Sequence, residues 1–214
     1  MERRKLLLLI VVVILAAAVW SSSDLARIFD DILEASERII GGSKAVAGTV
    51  FLALNALSAM FAFFSSVILV PVAIHNFGVA ATFVLLMGGW VLGGVATYFV
   101  GEFWGRPVLK YFFRKGTLER YEDIIVSRLN FFMVLLFRLA MPAEIPGYLL
   151  GVLRYDFKNY IAATTLAELP FALSAVYGSE LFLNDEKSMF LGVVVVMAAV
   201  FAVALYIFRR KTLK

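Results

Sequence analysis

Long stretches of the chain contain no formally charged residue, and their lengths indicate helices that cross a membrane. Residues 45–101 form one such stretch of 57 residues, and residues 189–208 form another of 20 residues. A bilayer is crossed by about 20 helical residues, so the second stretch predicts one span. The first stretch is too long for one crossing, because a single helix of that length would measure roughly 85 Å.

Pro71 and the short polar sequence that begins at His75 interrupt the longer stretch. Two full spans would fit, and so would one hairpin followed by one span. The flanking charges favour the hairpin with one span. The preceding segment is acidic and predicted to lie outside, whereas residues 102–128 are basic and predicted to be cytoplasmic. The chain between them must then cross the membrane an odd number of times. Residues 45–78 are therefore predicted to form a re-entrant hairpin, and residues 79–101 a span.

The second half of the chain repeats this plan with the opposite orientation. Residues 129–153 are predicted to enter from the inside and turn back at two prolines, and residues 159–178 then cross outward. The last span, residues 189–208, returns to the inside and is followed by a basic tail. A hairpin and a span that occur twice, in opposite directions, are typical of transporters built from inverted repeats, whose broken helices meet near the middle of the membrane.

Two further helices are predicted near the start of the chain. Residues 6–20 are apolar and follow a basic segment, which is typical either of a cleaved signal peptide or of an uncleaved anchor. The anchor is favoured because the later spans also require insertion into a membrane. Residues 24–39 place apolar and acidic side chains on opposite helix faces, so they predict an amphipathic helix that lies on the membrane surface or covers an apolar flank of the protein.

The fold class predicted from these patterns is an all-α polytopic membrane protein. It has two opposed re-entrant helical hairpins in an inverted repeat, about four transmembrane helices and an N-terminal amphipathic helix. Residues 1–44 hold the N-terminal helices, residues 45–180 the core, and residues 189–208 the C-terminal helix. The expected location is the cell membrane, plasma or inner, with both termini cytoplasmic.

Composition narrows the classes of protein and of site. A hydrophobic content of 62% and a mean hydropathy of +0.91 exceed those of soluble domains. The chain has no cysteine and one histidine, which excludes disulfides and thiol catalysis, argues against zinc or haem, and leaves no metal or cofactor expected. The basic residues cluster in a few segments, which suits membrane orientation better than nucleic-acid binding. The sequence lacks the Gly-x-Ser-x-Gly and His-Glu-x-x-His motifs, so no enzyme activity is predicted.

Arg138 and Glu144 are the formal charges within residues 130–153. A charge in hydrocarbon is costly unless it is paired or hydrated, so an ionisable residue at this depth indicates function. Arg138 is the strongest candidate, because a planar guanidinium fits a lipid phosphate headgroup. The structural alternative is a salt bridge from Arg138 to Glu144 or to Glu168 that neutralises two buried charges.

Other candidates surround these charges. The predicted substrate-binding residues, besides Arg138 and Glu144, are the helix-breaking residues Pro142, Pro146, Gly147 and Gly151 and, from the first hairpin, Pro71 and His75. Glu144, Glu168 and His75 are candidates for proton coupling, because each can titrate in a suitable environment. Glu102 and Arg106 lie one helical turn apart at the inner membrane boundary and are predicted to form an interfacial ion pair, with contact to a lipid headgroup as the alternative.

Several motifs, none strong alone, recur in a specific order across residues 40–180. They are Gly89-x-x-x-Gly93, Tyr98-x-x-Gly101-x-x-x-Gly105-Arg106, Phe137-Arg138-Leu139 with Pro142 and Gly151, Phe157, Thr164-Thr165, Leu169-Pro170 and Tyr177-Gly178. In this order the chain resembles the DedA family, within the SNARE-associated or VTT-domain superfamily of membrane proteins. It departs from that family in having no acidic residue within residues 66–78, and in having Glu144 where relatives often carry a second arginine.

The resemblance implies two opposed hairpins that meet at a central cavity, and it implies lipid translocation. Bacterial relatives are associated with proton-linked movement of undecaprenyl phosphate or phosphatidylethanolamine, and eukaryotic relatives scramble phospholipids. The expected function is therefore a flippase for a lipid phosphate. Its partners would be membrane lipids with an anionic phosphate headgroup, and a homo-oligomer is left open. The alternatives are a non-selective, energy-independent phospholipid scramblase and a non-transporting membrane assembly factor.

Overall fold

The computed structural model of the chain describes residues 43–61, 65–108, 126, 129–142, 144–184 and 186–212. The predicted N-terminal anchor, the amphipathic helix and most of the basic segment 102–128 lie outside these residues. Within the described ranges every regular element is helical, which confirms the all-helical prediction.

Short helices alternate with long ones along the described chain. The first half contains α1 (Lys44–Ser58), a 3₁₀ turn (Ser66–Leu69), α2 (Val70–Phe77), α3 (Val79–Val100) and a π-helical segment (Gly101–Gly105) that continues α3. The second half contains α4 (Phe131–Ala140), α5 (Glu144–Val152), α6 (Phe157–Leu183) and α7 (Lys187–Thr212).

Three of the described helices are long and apolar enough to cross a membrane. They are Val79–Val108, which includes α3 and its continuation, Phe157–Leu183 and Ser188–Ile207. These helices coincide with three of the predicted spans. α6 begins earlier than predicted because the Asp156 side chain accepts a hydrogen bond of 2.9 Å from the Asn159 backbone N–H and so caps the helix.

The remaining helices occur in two pairs, and each pair precedes a long helix. We call α1 with α2 the first helix pair, and α4 with α5 the second helix pair. α1 has 15 residues and α4 has 10, so at about 1.5 Å per residue they measure roughly 22 and 15 Å, too little to cross a bilayer. This repeated order matches the order of elements that an inverted repeat requires.

The interruption of the first helix pair lies earlier than the sequence suggests. The sequence predicts it between Pro71 and Gly78, but α1 ends at Ser58 and the next helical segment begins at Ser66. Pro71 lies in the first turn of α2, where the missing N–H would have no helical partner. Gly78, with φ of 80°, ends α2 and turns the chain into α3, in a conformation that glycine adopts without strain.

Two apolar cores join the short helices to the long ones. The first core contains Phe51, Val70, Ala73, Leu86, Ala172 and Val176. The second contains Tyr98, Val134, Leu150, Tyr155, Tyr160 and Ala163. The beginning of α3 thus packs against the end of α6, and the end of α3 packs against the beginning of α6. α3 and α6 are therefore antiparallel, and each core contains one helix pair.

Glycines allow α3 to approach one helix of each pair at backbone distance. A Cβ atom at Gly93 would overlap the Ala56 carbonyl of α1, and a Cβ atom at Gly151 of α5 would overlap the Tyr98 carbonyl of α3. Small residues at helix contacts are typical of membrane proteins, because close van der Waals packing replaces the hydrophobic effect there. α3 is consequently held between the two helix pairs.

Candidate functional site

A cavity of about 400 Å³, which we call the polar cavity, lies where both helix pairs face α6. The first helix pair contributes Ser58 and Ser65, which flank its interruption. The second pair contributes Pro142 and Glu144, which flank the end of α4 and the start of α5, and α6 contributes Glu168. The two interruptions in the helices thus face one space.

Hydrogen bonds hold the two interruptions in place. The Tyr148 hydroxyl of α5 donates to the Met60 carbonyl at 3.1 Å and so connects the two helix pairs directly. Within the first pair, the Ser66 hydroxyl donates to Asn55 Oδ1 at 2.5 Å, and the Ser66 N–H donates to Ser58 Oγ at 3.1 Å. Asn55 and Ser66 are fully buried, so these bonds satisfy groups that water does not reach. The rim of the polar cavity is therefore preorganised.

Arg138 lies on α4 in the wall of this cavity, and only 1% of its side chain is exposed. Its Nη2 donates to Glu168 Oε1 at 3.0 Å, and 11% of the Glu168 side chain is exposed. The sequence left open whether Glu144 or Glu168 would pair with Arg138, and the structure has Glu168 in that place. Removing both charges from water costs free energy that offsets much of their mutual attraction. The presence of the buried pair is therefore weak evidence that its role is only to stabilise the fold.

Tyr160, on α6, supports the guanidinium from its other side. Arg138 Nη1 donates to the Tyr160 hydroxyl at 3.2 Å, and that hydroxyl donates to the Gly94 carbonyl of α3 at 2.7 Å. The sequence reasoning did not single out Tyr160. A signal was present, because Tyr160, Thr164 and Glu168 recur every four residues and so lie along one face of the helix. A single face of α6 therefore carries both partners of the arginine.

Two buried polar atoms near the cavity have no hydrogen-bond partner within the described ranges. They are Arg138 Nε and Glu144 Oε2. A buried polar atom without a partner costs about 1–3 kcal/mol, and more when the group is charged, so each such atom calls for an explanation. One of them is a donor on a cation and the other is an acceptor on a carboxyl group. A ligand that brings an anionic oxygen and a proton would satisfy both.

At the end of α3, Glu102 has a partner that the sequence did not predict. Its Oε1 lies 3.4 Å from Arg154 Nε, in the turn that follows α5. Glu102 itself lies in the π-helical segment that continues α3, and its pair with Arg106 stays a prediction. Beside the pair of Glu102 and Arg154, burial and then the Asp156 carboxylate raise the pKa of the Tyr155 phenol above its ordinary value. That phenol therefore stays neutral at physiological pH.

The structure brings four of the predicted site residues into one wall. Arg138, Pro142, Glu144 and Glu168 all line the polar cavity. Among the residues described, no group of three or more histidine, cysteine, aspartate or glutamate side chains is placed to hold a metal ion. The side chains in the cavity therefore offer one guanidinium, two carboxyl groups and hydroxyls as recognition elements.

Other predicted site residues lie elsewhere. Gly147 and Gly151 pack against Thr97 and Tyr98 of α3, and Pro146 is buried in the first turn of α5. Pro71 and His75 lie on α2, and neither is part of the wall of the polar cavity as far as the chain is described. The hairpin glycines thus contribute close packing, and the first helix pair contributes serines to the cavity where the sequence pointed to a proline and a histidine.

Comparison with known proteins gives one match. The sequence model of the VTT domain matches residues 56–181, which is more than half of the 214-residue chain. No curated protein and no solved structure gives a significant match. The matched residues include both interruptions, the glycines of α3 and the whole of the Arg138–Tyr160–Glu168 cluster.

Proposed function

The chain belongs to the VTT-domain family, that of the DedA and SNARE-associated membrane proteins, and from this premise we propose that it is a flippase for a lipid phosphate. The family is regarded as one of membrane transporters and not as an enzyme class. The lipid would be a polyprenyl phosphate such as undecaprenyl phosphate, or a phospholipid. We place the protein in the plasma or inner membrane with both termini cytoplasmic.

The observation that carries this proposal is the buried guanidinium of Arg138. It lies in a cavity, it is held by partners on α6, and one of its donors remains without a partner in the described chain. A guanidinium can bind two oxygens of a phosphate at once, and this fit distinguishes it from a simple point charge. A buried cation that three helices hold in place is best explained by an anionic ligand that binds it transiently.

Exchange of partners would let a headgroup bind without leaving a buried charge unpaired. When a phosphate oxygen takes the place of Glu168 at Nη2, the released carboxylate would lose its stabilising cation. It would then take up a proton, because an unpaired carboxylate in an apolar site is costly. Headgroup binding and proton uptake would therefore occur together, and Glu144, in the same cavity, offers a second group for the proton.

The interrupted helices supply the route. The two helix pairs would enter the bilayer from opposite sides as re-entrant hairpins, so that the polar cavity between them connects to one leaflet and then to the other. The headgroup would pass through the protein while its hydrocarbon tail stays in the apolar phase. The hydrogen bond from Tyr148 to Met60 links the two pairs and would have to adjust as access alternates.

The test is transport in vesicles that contain the purified full-length protein and a labelled polyprenyl phosphate. The wild type should equalise the label between leaflets, and Arg138→Ala should abolish this activity. Arg154→Ala is the matched control, because Arg154 also lies next to a glutamate but is 56% exposed and outside the cavity. Arg138→Met combined with Glu168→Gln removes both charges, so a stable double variant without activity would separate lost function from lost folding. Equal rates for wild type and Arg138→Ala would contradict the proposal.

The same assay separates the alternatives. A rate that is independent of any proton gradient and similar for many headgroups would indicate a non-selective scramblase. No transport of any lipid by a well-folded wild type would leave a membrane assembly factor as the better assignment. The Arg138–Glu168 bridge favours the selective flippase, because a permanently open scrambling path has no evident use for a paired cation.

A further inference from the structure

A second cavity, of about 440 Å³, adjoins the polar cavity, and we propose that it holds the hydrocarbon tail of the same lipid whose headgroup occupies the polar cavity. We call it the tail groove. This inference rests on the proposed function, and it adds where the apolar part of the substrate binds. It concerns α7, which lies beyond the residues that match the VTT domain.

The lining of the tail groove suits a hydrocarbon chain. Its walls come mainly from the second half of α6 and the first half of α7, and they include Ala175, Gly178, Val193 and Met197. Ser174 also faces the groove, but its hydroxyl donates to the Pro170 carbonyl at 2.8 Å, so this polar group is satisfied within its own helix. The groove has no charged residue in its described lining. Its described lining therefore offers no charge to hold an anionic headgroup, and Ser179 is its other polar residue.

The two cavities share a wall of three aromatic side chains. Trp90 of α3, Phe171 of α6 and Phe201 of α7 line both the polar cavity and the tail groove. One side of this wall carries the Arg138–Glu168 pair, and the other side is apolar. A molecule that fills both spaces must therefore be charged at one end and apolar at the other, which describes a lipid phosphate with its tail extended past the aromatic rings.

The position of α7 supports a tail that enters from the bilayer. α7 packs against α6 and α4, and little of its apolar surface is buried by the protein. Val194, on the rim of the groove, is 37% exposed, so the groove opens sideways towards the surroundings of α7. A tail could thus enter the groove laterally from the lipid. The hydrophobic free energy of a tail is nearly the same against protein as in the bilayer, so the shape of the groove determines which of the two it prefers.

The test uses photochemical labelling of the full-length protein in phosphatidylcholine vesicles. The probe is hexadecyl phosphate with a diazirine in its chain, and the adducts are located by mass spectrometry of peptides. Labels should concentrate on the groove-facing residues of α6 and α7. Val194→Trp should reduce them about tenfold, which corresponds to about 1.4 kcal/mol, because the indole would fill space that the tail occupies. Val195→Trp is the matched control, since Val195 is the next residue of α7, is 59% exposed and does not line the groove.

Two further comparisons make the outcome decisive. Hexadecanol with the same diazirine lacks the phosphate, so it should label the groove less than hexadecyl phosphate does, and Arg138→Ala should reduce labelling by the phosphate to the level of the alcohol. Labels spread evenly around α7, equal effects of the two tryptophan variants, or equal labelling by alcohol and phosphate would each overturn the inference. Failure of the proposed function would be seen separately, as absence of lipid transport by a wild type whose groove is still labelled.

Discussion

Removing one partner of the Arg138–Glu168 pair should destabilise the protein more than removing both. The pair lies 3.0 Å apart with side-chain exposures of 1% and 11%, so either charge left alone would be buried without its counter-charge. Breaking such a pair from one side costs about 3–5 kcal/mol, whereas replacing both partners by uncharged residues of similar volume is often nearly neutral. Coulomb attraction between unit charges 4 Å apart, about 4 kcal/mol at an effective dielectric constant of 20, is of the same size.

The two single variants should also differ from each other. In Arg138→Met, Glu168 can relieve its isolation by binding a proton, but in Glu168→Gln the arginine cannot release one and stays a buried cation. Glu168→Gln should therefore be the less stable single variant, and the double variant should be more stable than either. The measurement is the free energy of unfolding, from titration of detergent-solubilised protein with sodium dodecyl sulfate. Strict additivity of the two single effects in the double variant would refute the reasoning.

Three further predictions concern the surroundings of this pair. Tyr160→Phe removes the hydroxyl that accepts from Arg138, so it should cost about 1–3 kcal/mol in unfolding free energy and slow lipid transport, whereas Tyr206→Phe on the exposed surface of α7 should change neither. Gly93→Ala should cost about 1–3 kcal/mol in the same titration, because its Cβ would overlap the Ala56 carbonyl, while Gly88→Ala has ordinary space and should be neutral. Arg154→Ala should cost less than about 1 kcal/mol, since the Arg154 side chain is 56% exposed in its pair with Glu102; a larger loss would contradict the surface role assigned to it.

The parts of the fold that the sequence predicted well are those that a single physical term decides. Hydrophobic length alone determines which helices can cross a membrane, so α3, α6 and α7 were found with errors at their ends only. The interruption at Pro142 was also predicted correctly in position, because an interior proline removes a helical hydrogen bond and clashes with the preceding turn, although α6 accommodates Pro170 without ending.

The predicted position of the interruption in the first helix pair was wrong because the effect of a proline depends on its place in a helix. Within a helix it breaks the hydrogen-bond ladder, but in the first turn it is well tolerated, and the sequence alone does not say which applies to Pro71. The actual interruption follows Ser58 in a segment whose sequence contains neither proline nor glycine. Its position depends on tertiary bonds, such as those among Asn55, Ser58 and Ser66, which join residues that no local pattern links.

For the candidate site, the sequence identified the charged groups and missed the neutral one that orients them. A charge in an apolar run is conspicuous, so Arg138, Glu144 and Glu168 were selected at once. Tyr160 was not, since a tyrosine near the end of a membrane helix is ordinarily an interfacial residue. Its role depends on a bond to the Gly94 carbonyl of another helix, and that bond becomes visible only when α3 and α6 are packed together.

The balance of charge in the polar cavity limits how any anion could bind there. Within the described lining, one guanidinium faces two carboxyl groups, so the acidic side chains outnumber the basic one. A carboxylate near a bound phosphate would weaken the attraction of Arg138 for it, because like charges repel in the same weakly screened space. Glu168 is bound to the guanidinium, whereas Glu144 Oε2 has no hydrogen-bond partner in the described chain. A phosphate that binds Nη2 of Arg138 would therefore have to take the place of the Glu168 carboxylate.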